Sequence, residues 1–403
     1  MRVIVLGAGV VGVTTAWYLS QAGHTVSIID QAGFVGSGTS FANAGQLSYS
    51  FTDALARPGF LGKLPALMCN RDPAIRFQAR PSRDFMRWGL SFLRQCTSAR
   101  SRANTVAVLK IAMHSSKLMD ELLNQVPLDF SFREAGKLVL LTSDGELLAA
   151  RRSAQLKQQH GCRTDILALQ EALRIEPALA YLQHDIKGAI WSADDKVGDA
   201  HAFAANLAAW MERNAEVTCR LGEQVTAIRS AKRTVTGVTT SHGEHDADAV
   251  VVSLGCGSTA LLRGLGIPAN IWPVRGYSVT LPLGEHAPST SISDVRHRMV
   301  FSRIGNQMRI AGFADFIEGH SLDDRARADK LLELARRTAP QAAQYDVGDV
   351  QAWGAWRPMT PDSRPLVGPT RVNGLYLNTG HGMLGWTLAC ATGHAVAEAI
   401  GRA

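Results

Sequence analysis

The residues best suited to chemistry begin within the first thirty positions. Val3-Ile4-Val5-Leu6 is a short apolar run; it leads into Gly7-Ala8-Gly9-Val10-Val11-Gly12, a helical stretch to Ala22, Gly23, and a second apolar run from Thr25 to Ile29 that ends in Asp30. The order is strand, glycine turn, helix, strand, acid. Gly7 permits the tight turn, Gly9 lets the backbone approach a pyrophosphate, and Gly12 lets the helix pack closely on the strand. The Val10 and Val11 N–H groups belong to the first helical turn, where free donors and a partial positive charge favour phosphate. Asp30 stands where a carboxylate accepts hydrogen bonds from ribose hydroxyls. Ala16, Leu19 and Gly23 also fall on the expected spacing. The pattern is that of a dinucleotide site, and by itself it leaves NAD and FAD equally open.

Two later turns repeat the theme. The apolar run 250–254 ends in Gly255-Cys256-Gly257-Ser258, and a strand over 375–378 is followed by Gly380-His381-Gly382-Met383-Leu384-Gly385-Trp386 and a helix to about Ile400. Continuous apolar runs of this kind suit buried parallel strands. If all three strands share one sheet, their turns open on one edge, where doubly wound folds bind ligands. The loop from Gly36 to Gln46 is rich in small and polar residues and can wrap a ligand through its N–H groups.

Around these motifs the periodicity predicts helices over 82–95, 103–124, 144–159, 199–214 and 323–338. It predicts strands over 137–142, 216–220, 224–229, 234–240, 246–254, 271–281, 298–304 and 307–313. Residues 57–83, with Pro58, Pro65, Pro73 and Pro81, read as irregular. The 403 residues, 46% apolar and 19% charged, imply a packed core and two or three domains. No apolar run reaches the roughly 18 residues that span a membrane, and the N-terminus is no signal peptide. A cytosolic chain, or one on the cytosolic face of the inner membrane, follows. The six cysteines form no CxxC pair and fit no zinc spacing, so reduced packing thiols and no metal are expected.

The net charge of +7 is matched by segment 71–110 alone, with nine basic residues against Asp72 and Asp84. Phe85, Trp88 and Phe92 fall there on one helical face. Two readings stand: a basic amphipathic helix lying on an anionic membrane surface, or an aromatic face packed on its own core. No nucleic-acid-binding motif accompanies the charge.

Six sequence blocks carry a family resemblance: VIVLGAGVVGVTTAWYLSQAGHTVSIID, TSFANAGQ, GCGS, WPVRGYSVTLP, WRPMTPDSRPLVG and LNTGHGMLGWTLACATG. From residue 1 to about 400 the chain resembles the bacterial D-amino acid dehydrogenases, within the D-amino acid oxidase and glycine oxidase flavoprotein superfamily. The resemblance implies an α/β fold: a Rossmann-like FAD-binding domain from 1–50, 199–265 and 355–403, and an α+β substrate domain with a mixed or antiparallel sheet from 51–198 and 266–354. It implies non-covalent FAD and oxidation of a D-amino acid to an imino acid, which hydrolyses to a 2-oxo acid and ammonia. Electrons would pass to a membrane quinone. The alternative is an oxidase that uses O2 on glycine, sarcosine or a cyclic imino acid such as D-proline or hydroxyproline. The family's chains usually continue for some tens of residues past the last helix, where this one ends.

On the same basis Arg357, in Trp356-Arg357-Pro358, is the expected clamp for the substrate carboxylate, a role suited to the planar guanidinium fork. Arg275 and Arg303 are weaker candidates. Tyr277 either donates to that carboxylate or packs in its strand, and Tyr49 is a candidate to close the pocket. His381 is either a flavin or substrate contact or a structural residue of its turn. Ser40, Asn43, Ala44 and Gln46 are expected beside the flavin ring, and Val225 beside the adenine. Gly255, Gly380, Gly382, Met383, Leu384, Gly385 and Trp386 would form the remaining cofactor contacts. The Gly36-Ser37-Gly38 insertion leaves the local path of the loop open.

Overall fold

The computed structural model describes residues 1–68, 72–78, 82–183, 185–317, 324–348 and 350–402; Pro81, together with Cys69 of the six cysteines, Arg71 and Arg80 of the basic segment and Asp323 at the start of the helix expected over 323–338, lies outside them. Strand β1 (Arg2–Leu6), helix α1 (Val10–Gln21) and strand β2 (Thr25–Asp30) form the expected first unit. β1 is central in a six-stranded sheet of order Leu366–Pro369, Leu375–Thr379, Ala249–Val252, β1, β2, Val217–Leu221. All neighbours are parallel except the Leu366–Pro369 edge.

Both faces of this sheet are covered, which is why β1 is apolar from Val3 to Leu6. Val3 and Val5 join one core with α1 and the helices Ser98–Gln125, Ala200–Asn214 and Gly385–Gly401. Ile4 and Leu6 join another with the antiparallel three-stranded sheet Val225–Ala231, Thr234–Thr240, Gly243–Asp246. Because Leu6, Val252 and Leu377 stand side by side in parallel register, the three glycine turns do open on one edge.

A nine-stranded mixed sheet stands over that edge. It contains the antiparallel run Gln351–Met359, Trp272–Pro282, Gln307–Ile317 and Met299–Ile304, and continues through Ser291–Asp294, Lys137–Leu141, Gly188–Ser192 and Asp165–Ala168. Helix Asp324–Thr338 closes its core. The segment read as irregular instead holds a helix, Pro58–Met68, and a strand, Ile75–Gln78, parallel to Gln307–Ile317. Pro58 opens the helix at a position that needs no N–H.

The aromatic face of helix Arg83–Gln95 turns inward. Trp88 and Phe92 are buried with Trp272, Val274 and Met359, and Phe85 packs on Trp272. The face left to solvent carries Met86, Leu90 and Leu93 among its arginines. Among the described residues no helix is long and apolar enough to cross a membrane, and the cysteines are free thiols.

The roles of two glycines separate cleanly. A Cβ on Gly12 would stand 1.8 Å from the Gly7 carbonyl oxygen, whereas one on Gly9 would meet only Ser40 Oγ at 3.5 Å. Gly12→Ala is therefore expected to cost at least about 3 kcal/mol, the upper end of overpacking, and Gly9→Ala less than about 1 kcal/mol, as at other helix N-caps. Chemical denaturation of the two variants checks this.

Candidate active site

The glycine turn is shaped by its surroundings before any ligand arrives. Asp30 accepts from the Ala8 N–H through Oδ2 at 2.7 Å and from the Ala32 N–H through Oδ1 at 2.9 Å. The carboxylate thus stiffens the turn, in addition to standing at the β2 terminus where a ribose is expected. The Gly36 N–H donates to the Ala8 carbonyl, which fixes the insertion's path against the turn. Ser40 Oγ accepts from the Val10 N–H at 3.0 Å. α1 has no side-chain cap of its own and no acid in its first turn, and Gly9 leaves the approach open. Those features fit a pyrophosphate. Val225 starts its strand two residues after Glu223, whose N–H donates to the Asp30 carbonyl, so Val225 lies near the Asp30 end of the turn.

The other two turns lock onto each other. Thr379 Oγ1 donates to the Gly255 carbonyl, and the Gly382 N–H donates to the Pro358 carbonyl. A lone bridge joins Met359 to His381, so the Arg357 strand runs directly into the Gly380 turn. His381 is buried, with Nε2 3.1 Å from Thr392 Oγ1 in the following helix, and burial pushes its pKa down to about 3. Of its two readings, this geometry favours the structural one. Met383 is exposed at the turn, while Leu384 and Gly385 start the helix. The Trp386 side chain points away into the core, where its indole N–H donates to the Gly198 carbonyl and its ring packs on Phe203.

Arg357 is half-buried, with Nη1 donating to the Phe313 carbonyl at 2.8 Å and Nη2 reaching Gly312 O at 3.5 Å. It makes room for itself over Gly276, where a Cβ would lie 2.3 Å from Nη2. Phe313 adopts φ +60° at a bulge in its strand, which re-aims its carbonyl toward the guanidinium. Burial lowers the Arg357 pKa to about 10, opposed by Asp315 and Tyr277, so the group stays charged near neutrality. Among the described residues it has no ion pair. Asp315 is already committed to Arg327 at 2.6 Å, Arg76 at 2.8 Å and the Tyr277 hydroxyl at 2.9 Å. Tyr277 therefore already donates within the protein, which favours its packing role. Arg275 pairs with Asp324 and stacks on Trp356, and Arg303 caps its own turn at Gly305.

The loop before β-strand residues Gln46–Leu47 is clamped between the two sheets. Thr39 Oγ1 donates to the Trp356 carbonyl, Ser278 Oγ to the Ala42 carbonyl, and Arg309 Nη1 to the Asn43 carbonyl. Asn43 Oδ1 accepts from the Gly45 N–H, a turn that carries the chain past Ala44. From Gln46 the chain is extended, so side chains alternate. Gln46, Ser48 and Ser50 face the nine-stranded sheet, while Leu47 and Tyr49 enter the core behind α1. That alternation takes Tyr49 away from Arg357. Its hydroxyl is buried, and burial raises its pKa.

Residues 2–399 match the family model of DAO, the FAD dependent oxidoreductases. The chain belongs to this family. It is similar to a D-amino acid dehydrogenase of Dechloromonas aromatica (38% identity, covering 99% of this chain and 97% of that one) and to D-amino acid dehydrogenase 2 of Ralstonia nicotianae (38%, covering 100% and 97%). Among solved structures, glycine oxidase from Geobacillus kaustophilus superposes with a TM-score of 0.76 at 23% identity, covering 100% of this chain and 95% of that one. That likeness speaks for the fold. In this DAO chain the dinucleotide is FAD.

Two buried cations behind the loop, Lys137 and Arg309, escaped the sequence reading. Lys137 opens the otherwise apolar strand KLVLL, and that misplaced charge was the available signal. His381 supplies a pH test. Its folded pKa lies below the unfolded value of about 6.5, so the unfolded chain takes up the proton first. Stability is expected to fall as pH drops from about 6.5 toward 3, with a slope approaching 1.4 kcal/mol per pH unit from this group. Denaturation at stepped pH should show His381→Gln flattening that slope.

Proposed function

We propose that this chain is an FAD-dependent dehydrogenase that oxidatively deaminates D-amino acids to 2-oxo acids and ammonia. The observation that carries the reading is Arg357: a half-buried guanidinium at the edge of the glycine turns, bonded only to carbonyls among the described residues. An α-carboxylate would take the partner place that no aspartate or glutamate fills. The likeness to proteins named D-amino acid dehydrogenase supports the substrate class. FAD, when bound, accepts the hydride from the substrate Cα. The protein's own part is to hold the carboxylate, to set the Cα by that anchor, and to keep water from the reacting face. In this reading the six-stranded sheet with its helices binds FAD, and the nine-stranded sheet binds substrate. Ser40, Asn43, Ala44 and Gln46 border the ring, joined by the Gly380–Gly385 backbone.

The proposed acceptor is a quinone at a membrane surface. Helix Arg83–Gln95 supports this because Met86, Leu90 and Leu93 are exposed beside Arg83, Arg87 and Arg94, an apolar and basic face suited to anionic lipid. The indole N–H of Trp88 donates to the Met359 carbonyl at 2.8 Å, so this helix sits directly behind the Arg357 strand.

Anaerobic mixing with single amino acids tests the activity: D-amino acids should bleach the flavin and their L-enantiomers should not. Bleaching by no D-amino acid would sink the proposal. Arg357→Met is expected to lower kcat/KM by about 10²-fold or more, as for loss of one partner of a desolvated charge pair, with Arg357→Lys recovering part of it. In vesicle co-sedimentation, binding to anionic but not neutral lipid is expected. It should weaken with salt and be lost when Met86, Leu90 and Leu93 become serine.

A further inference from the structure

The nine-stranded sheet carries a polar row where an apolar floor is expected. Lys137 pairs in register with Ser291 on one side and Ser192 on the other, and all three are buried. Above this row runs the segment 46–50, which opens with the short strand Gln46–Leu47. Lys137 Nζ donates to Gln46 Oε1 at 3.1 Å and to Ser48 Oγ at 2.7 Å, and lies 4.4 Å from the Phe51 ring centroid. Gln46 Nε2 donates to Ser291 Oγ, and Ser50 Oγ donates to Asp195 Oδ2 at 2.8 Å. The Ser48 N–H in turn donates to Thr387 Oγ1 in the first turn of Gly385–Gly401.

An ammonium has three donors and no acceptor. Gln46 must therefore turn its oxygen to Lys137, which directs its NH2 the other way. One of the two amide N–H bonds is used by Ser291. Without the lysine, the amide is free to flip, and Ser48 Oγ loses the donor that holds it at 2.7 Å. A lysine this deeply buried also has no carboxylate in ion-pair contact among the described residues, and burial lowers its pKa to about 8. Stability alone gives no reason for that arrangement, because an apolar side chain would fill the floor at lower cost.

We propose that Lys137 is a positioning residue for the cofactor: by fixing the Gln46 amide it makes the loop present N–H rather than C=O to the flavin. The inference rests on the Gln46–flavin contact proposed above. It also accounts for the polar side chains at positions 46 and 48, on either side of the buried Leu47.

The test uses Lys137→Met, Gln46→Met and the double variant, each first checked for folding by circular dichroism. Deflavinated protein is titrated with FAD, and the midpoint potential of the bound flavin is measured. Each single variant is expected to weaken FAD binding by about tenfold and to move the potential to a more negative value. The double variant should be no worse than the worse single one, because the lysine acts through the glutamine. Lys137→Met with wild-type affinity and potential, or a double variant whose losses add, overturns the inference. If Gln46→Met alone changes neither quantity, the glutamine–flavin contact itself fails, which is a distinguishable result. Should Lys137→Met not fold, Gln46→Glu replaces the amide donors by a carboxylate against the same ammonium; unchanged affinity and potential there also overturn the inference.

Discussion

A guanidinium taken out of bulk water needs compensation, and the arrangement around Arg357 supplies it only in part. Two backbone carbonyls accept from it, while the nearest buried acid is held by Arg76, Arg327 and Tyr277. Much of the local structure follows from this. Gly276 has no side chain because the guanidinium occupies that space, and the strand opposite bulges at Phe313 so that a carbonyl points inward. In the proposed reading the charge waits for a substrate carboxylate, and the surrounding strands supply the geometry for it.

That cation lies beside the edge of the glycine turns because of how two sheets meet. Three parallel strands end together and present three glycine turns. The strand bearing Arg357 bridges to His381 through Met359 and so is tied to the third turn. The loop 39–46 is fastened to the second sheet by Thr39, Ser278 and Arg309 and to the first by Ser40. Neither sheet alone contains the site.

The first unit was legible because its signals are local: spacing of glycines, an apolar run, an acid at a strand end. Helices 82–95 and 199–214 were legible by period, to within a residue or so. The strand Gln351–Met359 was not, since its residues are half-buried on both faces and show no alternation to read. Tyr49 was misjudged because proximity in sequence to the flavin loop says nothing about which face an extended residue takes. Asp315, which neutralises two arginines and leaves Arg357 unpaired, has no motif. Its role depends on Tyr277 and Arg76, on strands about 40 and about 240 residues away in sequence, and on Arg327 of helix Asp324–Thr338, and only the folded structure brings these together. The basic segment was half legible: its aromatics pack inward, and the exposed Met86, Leu90 and Leu93 carry what remains of the amphipathic reading.

The most direct test of the central claim is a spectral titration of the oxidised flavoprotein with a 2-oxo acid and with its neutral amide, in the wild-type chain and in Arg357→Met. If Arg357 holds the carboxylate, the acid should perturb the flavin band saturably in the wild-type chain only, and the amide in neither. Equal binding of the acid by both proteins, or of the amide and the acid by the wild-type chain, would contradict the account.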